Sequence, residues 1–116
     1  MLRTMLKSKI HRATLTGCDL NYEGSISIDS DLLAAAEILP GEQVQVLNVN
    51  NGQRLVTYAI PAPAGSGTVM LNGPAARAGV VGDVLVIITY GLYGEADLTD
   101  YRSNVVKVDA QNRIKR

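Results

Sequence analysis

"LNYEGSISID", residues 20–29, places two strand-like runs on either side of a single glycine. Residues 20–23 and residues 25–28 each have the composition of a short strand, and Gly24 alone separates them. A glycine inside a strand pattern is typical of a bulge or a tight bend, and a serine after it is often a solvated hydroxyl. A second interpretation is chemical, because the hydroxyl of Ser25 can attack the carbonyl carbon of Gly24 if the backbone is strained there.

The chemical interpretation has a defined product. Attack by Ser25 converts the amide into an ester, elimination of the ester leaves dehydroalanine at position 25, and hydrolysis yields a pyruvoyl group and ammonia. The protein would then consist of residues 1–24 (a β chain) and residues 25–116 (an α chain). The α chain would begin with a reactive ketone.

Composition predicts a single folded domain over residues 1–116. Hydrophobic residues make up 47% of the chain and aromatic residues, all tyrosines, only 4%, so the core must consist of Val, Ile, Leu and Ala. Eleven basic residues balance eleven acidic ones, which argues against a general nucleic-acid-binding protein. With one cysteine, Cys18, and one histidine, His11, no metal site is expected. No apolar run approaches a membrane span, so no membrane partner is expected.

The first 16 residues are basic and contain no acidic residue, which is also a feature of organelle transit peptides. The loose alternation of apolar and polar residues over positions 4–15 favours a strand instead. We therefore predict a cytoplasmic protein.

Short β segments dominate the rest of the pattern. Asn50, Asn51 and Gly52 predict a tight hairpin, and Asp29 or Ser30 is a suitable N-cap for a short helix. A second helix is predicted from Pro74 to near Gly79. The remaining predicted strands are 43–49, 53–60, 83–90 and 104–109, and the polar tail beyond them is expected to fray.

The chain also contains a weak internal repeat. Residues 34–46 (AAAEILPGEQVQV) align without a gap with residues 75–87 (AARAGVVGDVLVI). Two related halves of this kind would close a small barrel and so remove exposed sheet edges. The predicted fold is mainly β, a compact barrel with two or more short helices.

Four motifs are spread over most of the chain: MLKSKIHRATLT (5–16), LNYEGSISID (20–29), NNGQRLVTYAI (50–60) and LNGPAARAGVVGD (71–83). In this order and spacing they resemble the aspartate 1-decarboxylase family, pyruvoyl-dependent carbon–carbon lyases that make β-alanine for pantothenate and coenzyme A synthesis. The resemblance implies a double-psi β-barrel and a homotetramer with active sites between subunits. It also implies a pyruvoyl group formed at Ser25, with neither a metal nor pyridoxal phosphate.

The resemblance assigns roles to individual residues. The pyruvoyl group at Ser25 would form a Schiff base with L-aspartate, and Tyr58 would donate a proton after CO₂ is lost. Arg54 would bind a substrate carboxylate through its planar fork. Thr57 would assist self-cleavage and contact the substrate. Without the resemblance, Arg54 reads as a surface residue beside a hairpin and Tyr58 as a filler of a core without phenylalanine.

Further residues complete the predicted substrate site. Lys9 and His11 share a strand face through their i, i+2 spacing and would suit a substrate with two carboxylates. Asn72, Gly73, Pro74 and Ala75 would place an amide and backbone N–H groups at a helix start. Pro74 stands where the family usually has alanine, so a backbone N–H is missing at this position. Tyr22, close to the bond between Gly24 and Ser25, is predicted to shape the site.

Three alternatives remain open at this stage. A small barrel with a basic first strand could be a non-catalytic interaction or DNA-binding module, which would stay uncut. A related pyruvoyl enzyme could act on another amino acid, such as glutamate. The chain could also cleave slowly, since some members of the family need a helper protein to mature, and no motif here supports one.

Overall fold

Eight strands form one mixed sheet in the computed structural model, which describes residues 1–115. The strands are β1 (Arg3–Thr14), β2 (Gly17–Asp19), β3 (Ser25–Asp29), β4 (Gln43–Asn48), β5 (Arg54–Ala62), β6 (Val69–Asn72), β7 (Val84–Tyr93) and β8 (Asn104–Lys107). The helices are α1 (Ser30–Ala36), α2 (Glu95–Leu98) and a 3₁₀ helix (Gly73–Ala78). The prediction of a mainly β protein with two or more short helices is confirmed.

The strand order is β2-β6-β3-β5-β4-β7-β1-β8. Strands β1 and β2 stand far apart in this order, yet only residues 15 and 16 separate them along the chain. Such an order is expected of a barrel. Hydrogen bonds do not close the sheet within residues 1–115, so the double-psi barrel stays a prediction.

The register between β4 and β7 agrees with the internal repeat. The alignment of residues 34–46 with residues 75–87 makes Val46 equivalent to Ile87, and these two residues are direct partners in the antiparallel pair. A two-fold axis between related halves must pass through such a pair. The short helices α1 and 3₁₀ precede β4 and β7 in the same way. The structure therefore supports two related halves.

The hairpin and the helix start have the local chemistry that the sequence predicts. Gly52 has a φ of 75°, a left-handed conformation that glycine adopts without strain. The carboxylate of Asp29 accepts a hydrogen bond of 2.8 Å from the backbone N–H of Asp31 and so caps α1. The second predicted helix starts with Gly73 and Pro74 and ends before Gly79, as a 3₁₀ helix.

The buried hydrophobic side chains of the described chain are all aliphatic. The fully buried residues include Ile10, Leu15, Ile26, Leu71 and Ile87. Tyr58 is 37% exposed, so the interpretation of this residue as a core filler is wrong. The hydrophobic core instead consists of Val, Ile, Leu and Ala, as the composition predicts.

Several parts of the chain differ from the prediction. Residues 20–23 form an exposed turn rather than a strand, because the carboxylate of Asp19 accepts a hydrogen bond of 3.0 Å from the N–H of Asn21. Strands β2 and β6 were not predicted, since each is only three or four residues long. They are stabilised by pairing, because β2 pairs with β6 and β6 also pairs with β3.

The part of the C-terminal tail that the structure describes, up to residue 115, does not fray as predicted. The side chain of Asn112 is buried, donates to the carbonyls of Thr14 and Gly67 at 2.8 Å each, and accepts from the N–H of Thr14 at 2.7 Å. These bonds replace a missing strand partner at the end of β1. Among residues 1–115, no helix has both the length and the apolar character needed to cross a membrane.

Candidate active site

Ser25 lies at the boundary between an exposed turn and a buried strand. Its side chain is fully buried, whereas Gly24 and the four residues before it are exposed. The Ser25 hydroxyl donates a hydrogen bond of 3.0 Å to the carbonyl of Glu23 and accepts one of 3.0 Å from the Asn72 amide nitrogen. The hydroxyl of Ser25 is therefore held in place next to a peptide bond that solvent can approach.

Asn72 is the direct partner of Ser25 across the β3–β6 pair. Its amide nitrogen also donates to the hydroxyl of Ser27 at 2.9 Å. Its amide oxygen is buried and has no hydrogen-bond partner within residues 1–115. A buried acceptor without a donor is a position where a ligand or water can bond. The sequence analysis missed Ser27, although its i, i+2 spacing places it on the same strand face as Ser25.

A cavity of about 370 Å³ opens beside Gly24. It brings together four predicted site residues from three separate parts of the chain, namely Gly24, Thr57, Pro74 and Ala75. The sequence analysis did not predict the other lining residues, Leu55, Val56 and Ala78. We refer to Gly24, Ser25, Thr57 and residues 72–75 as the Ser25 cluster.

Arg54 and Tyr58 lie on the outer face of β5. Burial alternates along this strand, so that Arg54, Val56 and Tyr58 are exposed, whereas Leu55 and Thr57 are half-buried. The alternation has the two-residue period of a strand and turns Thr57 to the face opposite Arg54 and Tyr58. Neither Arg54 nor Tyr58 lines the cavity beside Gly24.

Lys9 faces the same side of the sheet as Arg54 and Tyr58. Across the sheet, Val56 pairs with Gln45, Gln45 with Ile88, and Ile88 with Lys9. Side chains of directly paired residues point to one face, so Lys9 follows Val56 outward. Three strand spacings separate β5 from β1, roughly 14 Å. We call the side chains of Lys9, His11, Arg54 and Tyr58 the outer group.

His11 lies two residues after Lys9 in β1 and is half-buried. The pKa of its imidazole is lowered, first by burial and then by the positive charges of Lys9, Arg12 and Lys107. Burial and the three positive charges thus disfavour the protonated form of the ring. Its Nδ1 atom is buried and has no hydrogen-bond partner within residues 1–115.

Comparison with known proteins shows which family this chain belongs to. A family model described as aspartate decarboxylase matches residues 1–115. The chain belongs to the aspartate decarboxylase family. It is 57% identical over 114 residues to aspartate 1-decarboxylase of Moorella thermoacetica, covering 98% of this chain and 89% of the relative. It is 60% identical over 114 residues to aspartate 1-decarboxylase 2 of Gloeobacter violaceus, covering 98% and 91%.

A third member of the aspartate decarboxylase family, aspartate 1-decarboxylase of Desulfotalea psychrophila, is 53% identical over 115 residues, covering 99% of this chain and 97% of the relative. The resemblance predicted from the four motifs is thus confirmed, and with it the prediction that the family is one of decarboxylating enzymes. The family match over residues 1–115 includes all eight strands, the Ser25 cluster and the outer group.

Two further predictions concern the surroundings of the site. The side chain of Tyr22 is 51% exposed in the turn before Gly24 and does not line the cavity. The atom of Tyr22 that lies near Gly73 is its backbone carbonyl oxygen. Residues 1–115 contain no group of three His, Cys, Asp or Glu side chains that could hold a metal ion.

Proposed function

We propose that this protein decarboxylates L-aspartate to β-alanine and CO₂, and thereby supplies β-alanine for pantothenate and coenzyme A biosynthesis. Family membership supports aspartate decarboxylation. The observation that carries the finer proposal is the buried Ser25 hydroxyl, held by Asn72 directly after an exposed Gly24. A cytoplasmic location completes the proposal.

The first chemical step is self-cleavage between Gly24 and Ser25. The Ser25 oxygen bonds to the Gly24 carbonyl carbon, the C–N bond breaks, and the hydroxyl proton passes to the Ser25 nitrogen to give an ester. Loss of the Ser25 Cα proton then expels the Gly24 carboxylate and leaves dehydroalanine. Addition of water and loss of ammonia produce the pyruvoyl group without an oxidant, a reductant or a metal. Thr57, beside Gly24 in the cavity, is the proposed support for the oxygen-bearing intermediate.

The residues around Ser25 fit a pyruvoyl group. When present, this ketone holds the substrate amine covalently and takes up the electrons released with CO₂. The Asn72 amide nitrogen already points at the position of the Ser25 oxygen, and its unpaired amide oxygen offers an acceptor in the same place. Gly73, Pro74 and Ala75 would bound the substrate beside it.

The outer group supplies the binding and proton-transfer residues. Neither Lys9 nor Arg54 forms an ion pair within residues 1–115, so both cations are available to a dicarboxylic amino acid. Arg54 would bind one substrate carboxylate through its planar fork, and Lys9 with His11 would complete the site. Tyr58 would donate the proton that replaces CO₂.

A second copy of the chain would bring the two groups together. The Ser25 cluster surrounds the cavity, whereas none of the four outer-group residues lines it. The outer face is also apolar for a surface, with Val56 61% exposed, Tyr90 48% and Leu92 68%. We therefore propose a homotetramer in which the outer face of one subunit covers the Ser25 cluster of the next.

The mass of the denatured protein tests self-cleavage. We expect two fragments, residues 1–24 and residues 25–116, the larger with a pyruvoyl terminus. The Ser25→Ala variant should remain a single inactive chain. An intact wild-type chain that also stays intact on heating would contradict the proposed cofactor, and salt-sensitive DNA binding by it would support the non-catalytic module instead.

Mixed tetramers test the shared site. Ser25→Ala lacks the pyruvoyl group and Arg54→Ala lacks the carboxylate ligand, so each variant alone should be inactive. Co-expressed with different tags and purified through both, they should regain activity, because one subunit supplies Ser25 and its neighbour supplies Arg54. Doubly tagged tetramers without activity would show that both residues act within one subunit. Glutamate, tested in parallel, measures how strictly the site selects aspartate.

A further inference from the structure

Residues 72–74 contact the cleavage segment one after another. Asn72 bonds to the Ser25 hydroxyl. A Cβ on Gly73 would lie 2.8 Å from both the N and Cα atoms of Gly24 and 2.9 Å from the carbonyl oxygen of Tyr22. A Cβ on Gly24 would lie 3.5 Å from Cδ of Pro74. The backbone of residues 22–24 therefore occupies the space that a side chain at position 73 would need.

This contact adds to the few hydrogen bonds that constrain the backbone before Ser25, namely those of Asp19 with Asn21 and Tyr22 and that of the Ser25 hydroxyl with Glu23. Residues 20–24 are exposed and lie outside the strands, whereas β3 begins only at Ser25. The strand bonds thus position Ser25, whereas the orientation of the Gly24 carbonyl group also depends on the backbone before it. Close approach of the two reacting atoms is what an intramolecular attack requires.

Gly73 and Pro74 have complementary conformational properties. Gly73 has a φ of 64°, which favours glycine, and it admits the Gly24 backbone through its missing side chain. Pro74 has a fixed φ and restricts the residue before it, so it limits the conformations of Gly73.

We propose that Gly73 and Pro74 are positioning residues for self-cleavage, which hold the backbone of residues 22–24 so that the Gly24 carbonyl meets the Ser25 hydroxyl. This inference rests on the proposed function. Gly73 provides the contact and Pro74 keeps the contact in one conformation.

Two matched pairs of variants test the inference by the rate of cleavage of newly made precursor, followed by mass, alongside the melting temperature. Gly73→Ala is compared with Gly41→Ala, because Gly41 also has a positive φ, 84°, but a Cβ there would meet no atom within 4 Å. Both variants should melt earlier, and only Gly73→Ala should cleave more slowly, by about tenfold or more. Pro74→Ala is compared with Pro63→Ala, an exposed loop proline, and should cleave about three- to fivefold more slowly.

The cleavage rates separate a failure of the positioning role from a failure of the proposed function. Equal cleavage rates within both pairs would overturn the positioning role while leaving self-cleavage intact. If Gly73→Ala does not fold, the Pro74→Ala and Pro63→Ala pair decides alone. A wild-type precursor that never cleaves under the same conditions would instead overturn the proposed function itself.

Discussion

Replacing Asp29 by alanine should destabilise the protein strongly, although Asp29 takes no part in the proposed chemistry. Asp29 is 2% exposed and ends β3, the strand that begins with Ser25. Its carboxylate accepts three backbone hydrogen bonds, from Asp31 at 2.8 Å, from Gly65 at 3.1 Å and from Gly67 at 2.9 Å. One side chain thus joins β3, α1 and the loop before β6.

The size of the effect follows from these three bonds. Loss of a helix N-cap costs about 1 kcal/mol. A hydrogen bond to a charged acceptor contributes about 1.5 to 3 kcal/mol, but water can replace the partner of the half-buried Gly65. The N–H of Gly67 is buried and would remain unpaired. We expect Asp29→Ala to lower the free energy of unfolding by about 3 to 5 kcal/mol, a large part of the stability of a typical domain.

Urea denaturation of the uncut Ser25→Ala protein, at one fixed protein concentration, measures this loss on a uniform chain. Asp31→Ala is the matched control, since it removes an exposed carboxylate from the first turn of the same helix and should cost at most about 1 kcal/mol. A loss below about 1 kcal/mol for Asp29→Ala would refute the reasoning, because the three bonds would then contribute nothing beyond the cap.

Three other predictions follow from single side chains. Tyr58→Phe should cleave normally, because the exposed Tyr58 hydroxyl makes no hydrogen bond within residues 1–115. The same variant should lose about 10²- to 10⁴-fold in turnover. Turnover equal to that of the wild type would place the proton donor elsewhere. Glu37 is the C-cap residue that follows α1, and its φ of 57° favours glycine. Glu37→Gly should therefore raise the free energy of unfolding, measured in urea, by about 0.5 to 1 kcal/mol. A decrease would contradict this prediction. Because the pKa of His11 is lowered in the folded protein, the unfolded chain binds the proton first, and stability should fall as the pH drops below 6.5. His11→Gln should show a smaller difference in urea midpoint between pH 7 and pH 5, and an unchanged difference would argue against this contribution.

Local chemistry explains the features that could be predicted from sequence. The Asp29 cap, the turn at Gly52 and the proline at the start of the 3₁₀ helix each depend on residues within a few positions of one another. The alternation along β5 likewise places Arg54 and Tyr58 on one face, as their spacing requires. The role proposed for Ser25 was likewise predicted from sequence, through the four family motifs.

Long-range pairing decides the rest. The sequence by itself determined which residue types stand at the proposed cleavage point, how several short elements start and end, and to which family the chain belongs. Only the tertiary structure placed Asn72 opposite Ser25, the Gly24 backbone against Gly73 and the outer group outside the lining of the cavity. Those positions depend on the register of strands far apart in sequence, which buried side chains set collectively and which no short stretch encodes.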